Sequence, residues 1–321
     1  MVEQQLQLEA TVPAGMAGQR LDRVLAQLFS EYSRARLQQW IRAGRVLVDG
    51  VQPRPRDRVA GGEKIALHAV LEAEGDWQPE AIPVDIIHED EALLVINKPA
   101  GLVVHPAAGN REGTLLNALL HHAPELATLP RAGIIHRLDK DTSGLLVIAR
   151  TLSAHKRLIE MMQAREIRRE YQAVVQGVMT AGNTIDAPIG RHPVQRKRMA
   201  VVRSGRPAVT HFRVIERFRA HTHIHVQLET GRTHQIRVHM AHLHYPLLGD
   251  PIYGGRLRIP AGCSQALDEQ LHHFRRQALH AWRLQLSHPL TGEDMVWQAP
   301  LPDDLHTLLD VLRQDANEAS V

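Results

Sequence analysis

Residues 133–150, GIIHRLDKDTSGLLVIAR, constrain this chain more than any other stretch. An apolar run enters, the mainly polar segment from His136 to Gly144 follows, and a second apolar run leaves. Two buried strands flanking a polar loop put charged side chains at the mouth of a core, where sites form. Read alone, the loop also fits an Asp/Ser/Gly turn that satisfies its own backbone. It contains Lys and Thr but lacks the glycine spacing of a phosphate-cradling loop. Asp139 and Asp141 are its candidate acid–base or nucleophilic groups.

Around that segment the pattern divides in two. Leu21, Val24, Leu25 and Leu28 mark one face of a helix. Ser33 can cap a second, carrying Leu37, Trp40 and Ile41 and ending at Gly44. Val46–Val48 reads as a strand, Asp49-Gly50 as a hairpin turn, and Lys64–Leu67 as another strand. This ααβ unit, residues 18–75, resembles the S4 RNA-binding domain, which implies RNA contact by Arg20, Arg23, Arg34, Arg36 and Arg42. Residues 76–84 read as an acidic, Pro-containing linker, residues 85–312 as a larger domain, and residues 313–321 as a tail. In the larger domain, strands are predicted at 86–87, 93–96, 145–149, 171–175 and 224–228. Helices are predicted at 153–165, capped by Ser153, at 233–243, and from Pro302 onward with Leu305, Leu308, Leu309 and Leu312 on one face. Strands and helices do not alternate regularly, so the expected class is α+β with a mixed, mainly antiparallel sheet.

Charge narrows the function. Residues 18–68 hold ten Lys/Arg against five Asp/Glu, and residues 191–219 hold nine against Glu216 alone. Between them, residues 69–97 carry eight acidic residues and no Lys or Arg. Two basic blocks favour a polyanionic partner, whose phosphates require clustered cations. Aromatics at 4% argue against a stacking platform for many bases. A single cysteine, Cys263, excludes an internal disulfide and a cysteine-rich zinc site. With no apolar N-terminal run and no membrane-length apolar stretch, a cytoplasmic protein is expected. His221, His223 and His225 alternate along a predicted strand and could ligate zinc, but a solvent- or RNA-facing strand is the expected reading, with no metal.

The segment HRLDKDTSG resembles the central motif of the RluA-type pseudouridine synthases. In the same order follow resemblances at INKPAGLVVHP (96–106), REYQAVVQG (169–177) and ETGRTHQIRVHMAHLHYPLLGDPIYGG (229–255). The resemblance is closest to members acting on large-subunit ribosomal RNA. It implies a cofactor-free isomerisation of uridine, in which the C1′–N1 bond breaks, uracil turns, and C1′ joins C5. It makes Asp139 the catalytic carboxylate, adding to C1′ or removing the 2′ proton. Arg237 then pairs with Asp139, Ile236 forms an apolar wall for the base, and Tyr171 stacks on the uracil. Arg137 fills the space left by the flipped nucleotide, lowering the few kcal/mol that extrusion costs. Lys98 is read as structural or phosphate-facing, and His136 as a group that shapes the loop. The implied partner is large-subunit rRNA, in the helix 69 stem-loop, free or in a pre-50S-type particle, met by a monomer. The alternatives are action on other rRNA or tRNA uridines, a non-catalytic ribosome assembly factor, and a hydrolase pairing Asp139 with Asp141.

Overall fold

Alternating Leu6, Leu8 and Ala10, followed by a helical spacing from Leu21 to Leu28, set the two periods of the N-terminal unit. The computed structural model describes residues 4–29, 32–71, 77–106, 110–195 and 198–318. It forms β1 (Gln4–Thr11), α1 (Leu21–Leu28), α2 (Arg34–Arg42), β2 (Val46–Val48) and β3 (Lys64–Leu71). The three strands make an antiparallel sheet in the order β1-β3-β2. The unit therefore starts before residue 18. The inward side chains of β1 are only partly covered, so its apolar signal in the sequence is weak. Ser33 caps α2 by accepting from the Arg36 N–H at 3.2 Å. Asp49 and Gly50 turn at φ 48° and 78° between the mutually bonded Val48 and Val51, as a type I′ turn requires.

Fully buried Asp22 ties the helix pair together, accepting from Arg20 at 2.9 Å, Arg34 at 2.7 Å and Gln38 at 2.5 Å. Two of the arginines expected to meet RNA thus also hold the fold, whereas Arg23 and Arg42 are exposed. Leu37 lies fully buried among Leu21, Leu25 and Ile41. Leu37→Ala should destabilise this unit by about 2–5 kcal/mol, seen as an earlier first transition in urea. An unchanged unfolding curve would show that Leu37 packs less tightly than described.

The larger unit is a nine-stranded sheet. Its first part contains β4 (Asp85–Glu89), β5 (Leu93–Lys98), α3 (Leu115–His122), β6 (Ser143–Ala149) and α4 (Leu152–Ala164). Next come β7 (Arg168–Gln176), β8 (Asn183–Asp186), a small hairpin of β9 (Ile189–Arg191) and β10 (Met199–Val201), β11 (Val209–Arg217) and β12 (His221–Leu228). The last elements are α5 (Gln235–His242), α6 (Gln265–His273), β13 (Leu279–Ser287), β14 (Asp294–Gln298) and α7 (Asp303–Glu318). Strand order is β4-β5-β6-β13-β7-β12-β11-β8, with β14 added on β13. Every pair is antiparallel except β6·β13, which is parallel and pairs only Ser143 with His280 and Gly144 with Ala281. No described helix is long and apolar enough to cross a membrane.

Several local expectations shift. Thr151, not Ser153, caps α4, because its hydroxyl accepts from the Ala154 N–H at 3.1 Å. Residues 313–318, expected as tail, continue α7, whose Leu305, Leu308, Leu309 and Leu312 are buried. The described part of the expected linker is a bound strap. Glu80 accepts from Gly113 N–H at 2.8 Å, the Gln78 carbonyl accepts from Asn117, and Trp77 and Val84 lie against the core.

His221, His223 and His225 share a face, but it is not the solvent face expected. His221 and His223 are buried, and His225 bonds Glu170 at 2.8 Å. Asp315 lies near His221 and the Arg313–Glu216 pair near His223, while His225 sits beside the Trp282 ring. No cluster of three or more His, Cys, Asp or Glu among the described residues could hold a metal ion. Burial pushes the pKa of His221, His223 and His280 from 6.5 to about 4. Their unfolded forms titrate near 6.5, so between about 6.5 and 4 the unfolded chain binds protons that the folded one does not. Stability is full above that window and falls as pH falls through it. The melting temperature should therefore drop from about pH 7 to about pH 4.5, by about 2–4 °C per kcal/mol lost. A flat profile would mean that these rings accept protons inside the native fold.

Candidate active site

Backbone tethers fix the loop from His136 to Gly144 along most of its length. The imidazole Nε2 of His136 accepts from the Val147 N–H at 3.2 Å. Burial pushes this ring's pKa to about 3, so it is a neutral loop-shaping group. Thr142 N–H closes a turn onto the Asp139 carbonyl at 3.1 Å. The Thr142 hydroxyl accepts from Gln277, and the Asp141 carbonyl from Arg276. Fully buried Lys98 donates to the carbonyls of Pro99, Leu102 and Lys140 at 2.7–2.9 Å. Burial pushes its pKa to about 7 against the pull of Asp141 and Asp139. Lys98 is therefore structural, and the phosphate-facing reading fails because its ammonium is consumed inside the protein. At the loop's exit Gly144 has φ +115°, and a Cβ there would lie 2.2 Å from the Ala281 carbonyl oxygen. Only glycine lets β13 pass at this point.

These tethers aim Asp139 into a cleft of about 860 Å³. Arg237 Nη1 donates to Asp139 Oδ2 at 3.0 Å. The same guanidinium forks onto Asp250 through Nε at 2.7 Å and Nη2 at 2.9 Å. Arg237 is 3% exposed, so the expected helix position is right but the side chain is interior. Burial works against its charge, yet the two carboxylates outweigh burial and raise its pKa. Asp250 also accepts from the N–H groups of Ile252 and Tyr253. Burial opposes its ionisation, but Arg237 and those amides hold its pKa below the usual range. The result is a carboxylate–guanidinium–carboxylate row in which Asp139 and Arg237 line the cleft and Asp250 stands behind them.

Tyr171 on β7 and Ile236 on α5 line the same cleft, 5% and 4% exposed. Burial raises the Tyr171 pKa, so it remains a phenol. Arg137 sits exposed at the rim with no hydrogen bond or ion pair recorded among the described residues. All five residues expected at the site therefore meet in one place. Asp141 does not line the cleft, which removes the two-carboxylate hydrolase arrangement.

Other groups had not been singled out. His234 precedes α5 at φ 57°, a left-handed conformation uncommon for its type. Its Nδ1 meets the Tyr253 hydroxyl at 2.9 Å, and that hydroxyl accepts from the Met199 N–H at 2.9 Å. The direction of the bond between the phenol and Nδ1 follows the ring's tautomer, and Nε2 faces Asp139 Oδ1 at 3.8 Å. Gln235 accepts from Thr230 and Arg232 and donates to Val209 and Thr210, locking the turn before α5. Asp250 had a visible signal, a lone carboxylate within Leu247-Leu248-Gly249-Asp250-Pro251. An isolated charge in an apolar run asks for a buried partner.

The chain is similar to known proteins along nearly its whole length. Residues 92–242 match the family described as RNA pseudouridylate synthase, and residues 19–65 match the S4 domain. The protein named ribosomal large subunit pseudouridine synthase D from Pseudomonas aeruginosa is 60% identical over 310 residues, covering 97% of each chain. Its namesake from Escherichia coli (strain K12) is 56% identical over 316 residues, covering 98% of this chain and 97% of the other. The solved structure titled Human RNA Pseudouridylate Synthase Domain Containing 4 superposes with a TM-score of 0.57 at 29% identity, covering 71% of this chain and 93% of that one. Held together by the Asp139–Arg237–Asp250 row and carrying an S4 domain on its N-terminal side, the chain belongs to the RNA pseudouridylate synthase family.

Proposed function

We propose that this pseudouridine synthase isomerises uridine in large-subunit ribosomal RNA, in the helix 69 stem-loop, with Asp139 as the catalytic carboxylate. The observation that carries the reading is Asp139 itself, clamped through Oδ2 by a buried arginine and directed into a cleft walled by Tyr171 and Ile236. Oδ1 accepts no hydrogen bond among the described residues and is the oxygen left for chemistry. It adds to C1′ or removes the 2′ proton, and both routes end with C1′ joined to C5 and no net change in mass. The names of the P. aeruginosa and E. coli relatives support the large-subunit substrate.

Tyr171 stacks on the extruded uracil, Ile236 walls its other side, and Arg137 enters the gap in the RNA. Exposed Arg23 and Arg42 on the S4 unit, and Arg191, Arg203, Arg206 and Arg213 on the larger one, supply phosphate contacts. The protein acts as a monomer in the cytoplasm, on free rRNA or a particle assembling around it.

Primer extension after carbodiimide treatment of large-subunit rRNA maps pseudouridine directly. Cells lacking the gene, or carrying Asp139→Asn, should lose the same stops in helix 69. Stops that persist in both strains would exclude that target and move the search to other rRNA and to tRNA uridines.

A further inference from the structure

The buried arginines of the cleft are served very differently. Arg237 has two carboxylates. Arg169, at the start of β7 and 6% exposed, has no ion pair recorded among the described residues, and its Nε has no hydrogen-bond partner. Leaving a buried guanidinium uncompensated costs several kcal/mol, so a fold keeps one only where something else supplies the charge. Arg169 lines the catalytic cleft. It is two residues from Tyr171 on one strand, so both side chains project to the same face. Gly231 makes room for it, since a Cβ there would stand 2.7 Å from Nη1.

A second orphan donor lies nearby. His136 uses Nε2 to accept from Val147, so the neutral ring carries its proton on Nδ1. That Nδ1 is buried and has no partner, and His136 lines the same cleft. Arg169 is near enough to add to the depression of its pKa. The cleft floor therefore presents two kinds of unmatched N–H donor and one unmatched positive charge. A uracil carbonyl would accept the hydrogen bonds but bring no charge. A phosphodiester brings both. Rotating a nucleotide out of its stack about its backbone also swings its flanking phosphates toward the enzyme.

We propose that Arg169 and His136 form a phosphate subsite that grips a phosphodiester next to the flipped uridine, holding C1′ against Asp139. The subsite rests on the reading of this cleft as the place where a uridine within RNA is turned over. It is distinct from the exposed arginines, because a contact this buried is only weakly screened by salt.

The test is a set of stem-loop RNAs in which one linkage at a time, around the target uridine, carries a neutral methylphosphonate. Affinity and single-turnover rate are measured for the parent and for Arg169→Gln. One linkage adjacent to the uridine should cost the parent roughly 10- to 100-fold, the scale of a charged hydrogen bond. Arg169→Gln should lose a similar factor on all-phosphate RNA and lose nothing more at that linkage. Arg169→Lys, which keeps the charge, should recover part of the loss, and it replaces the Gln variant in the cycle if a thermal melt shows that variant unfolded. Losses that multiply at every linkage would overturn the subsite. Absence of pseudouridine with the parent and all-phosphate RNA would instead refute the choice of substrate, so the two failures are distinguishable.

Discussion

Asp139→Asn is expected to abolish isomerisation, by at least about 10⁴-fold at single turnover, while RNA binding is unchanged or tighter. The substituted amide is nearly isosteric and its oxygen can still accept from Arg237, so the loop should keep its shape. It loses both properties the chemistry requires, a nucleophilic or basic oxygen and a negative charge. Removing a negative charge from a surface that meets phosphates does not weaken binding. Rate and affinity should therefore separate cleanly. A variant that retained a tenth of the parent rate would remove Asp139 from the reaction, whatever its position in the cleft.

The second large effect lies behind the site. Asp250→Ala should cost about 3–5 kcal/mol and lower the melting temperature by roughly 10 °C. It strands the Arg237 guanidinium and also two amides, those of Ile252 and Tyr253. Activity should fall with it, because a guanidinium tethered on one side no longer fixes Asp139. Asp250→Leu combined with Arg237→Met should melt higher than Asp250→Ala alone, since it removes the stranded guanidinium and leaves only the cleft-facing Asp139 without its partner. A single variant melting within about 1 °C of the parent would show that Arg237 draws its support from elsewhere.

Much of this site was legible because its signals are local. The motif around Asp139 sits between two apolar runs, and the segments holding Tyr171, Ile236 and Arg237 resemble their family counterparts over many residues. The rest depends on contacts between positions distant in sequence. Nothing beside Lys98 announces that three carbonyls will enclose its ammonium, because one of them belongs to Lys140. The alternation of His221, His223 and His225 defines a face but not its neighbours, which come from distant positions such as Trp282, Arg313 and Asp315. β1 was missed for the opposite reason, since a sparsely covered edge strand needs few apolar residues to form. Asp250 differs from these, since its lone carboxylate in an apolar run is a local signal of a buried partner.

The parallel seam between β6 and β13 has a consequence for the order in which the enzyme comes into being. Asp139 belongs to the first part of the sheet, with β4, β5 and β6, which emerges from the ribosome early. Arg237 and Asp250 arrive about a hundred residues later. The two-residue seam at Ser143–Gly144 cannot close until His280 and Ala281 have been synthesised. Strand pairings spanning such separations form late because their loop-closure entropy is paid first. Asp139 therefore meets its arginine only after these later segments have been made. A nascent chain can expose its basic S4 unit to RNA well before it can alter a single uridine.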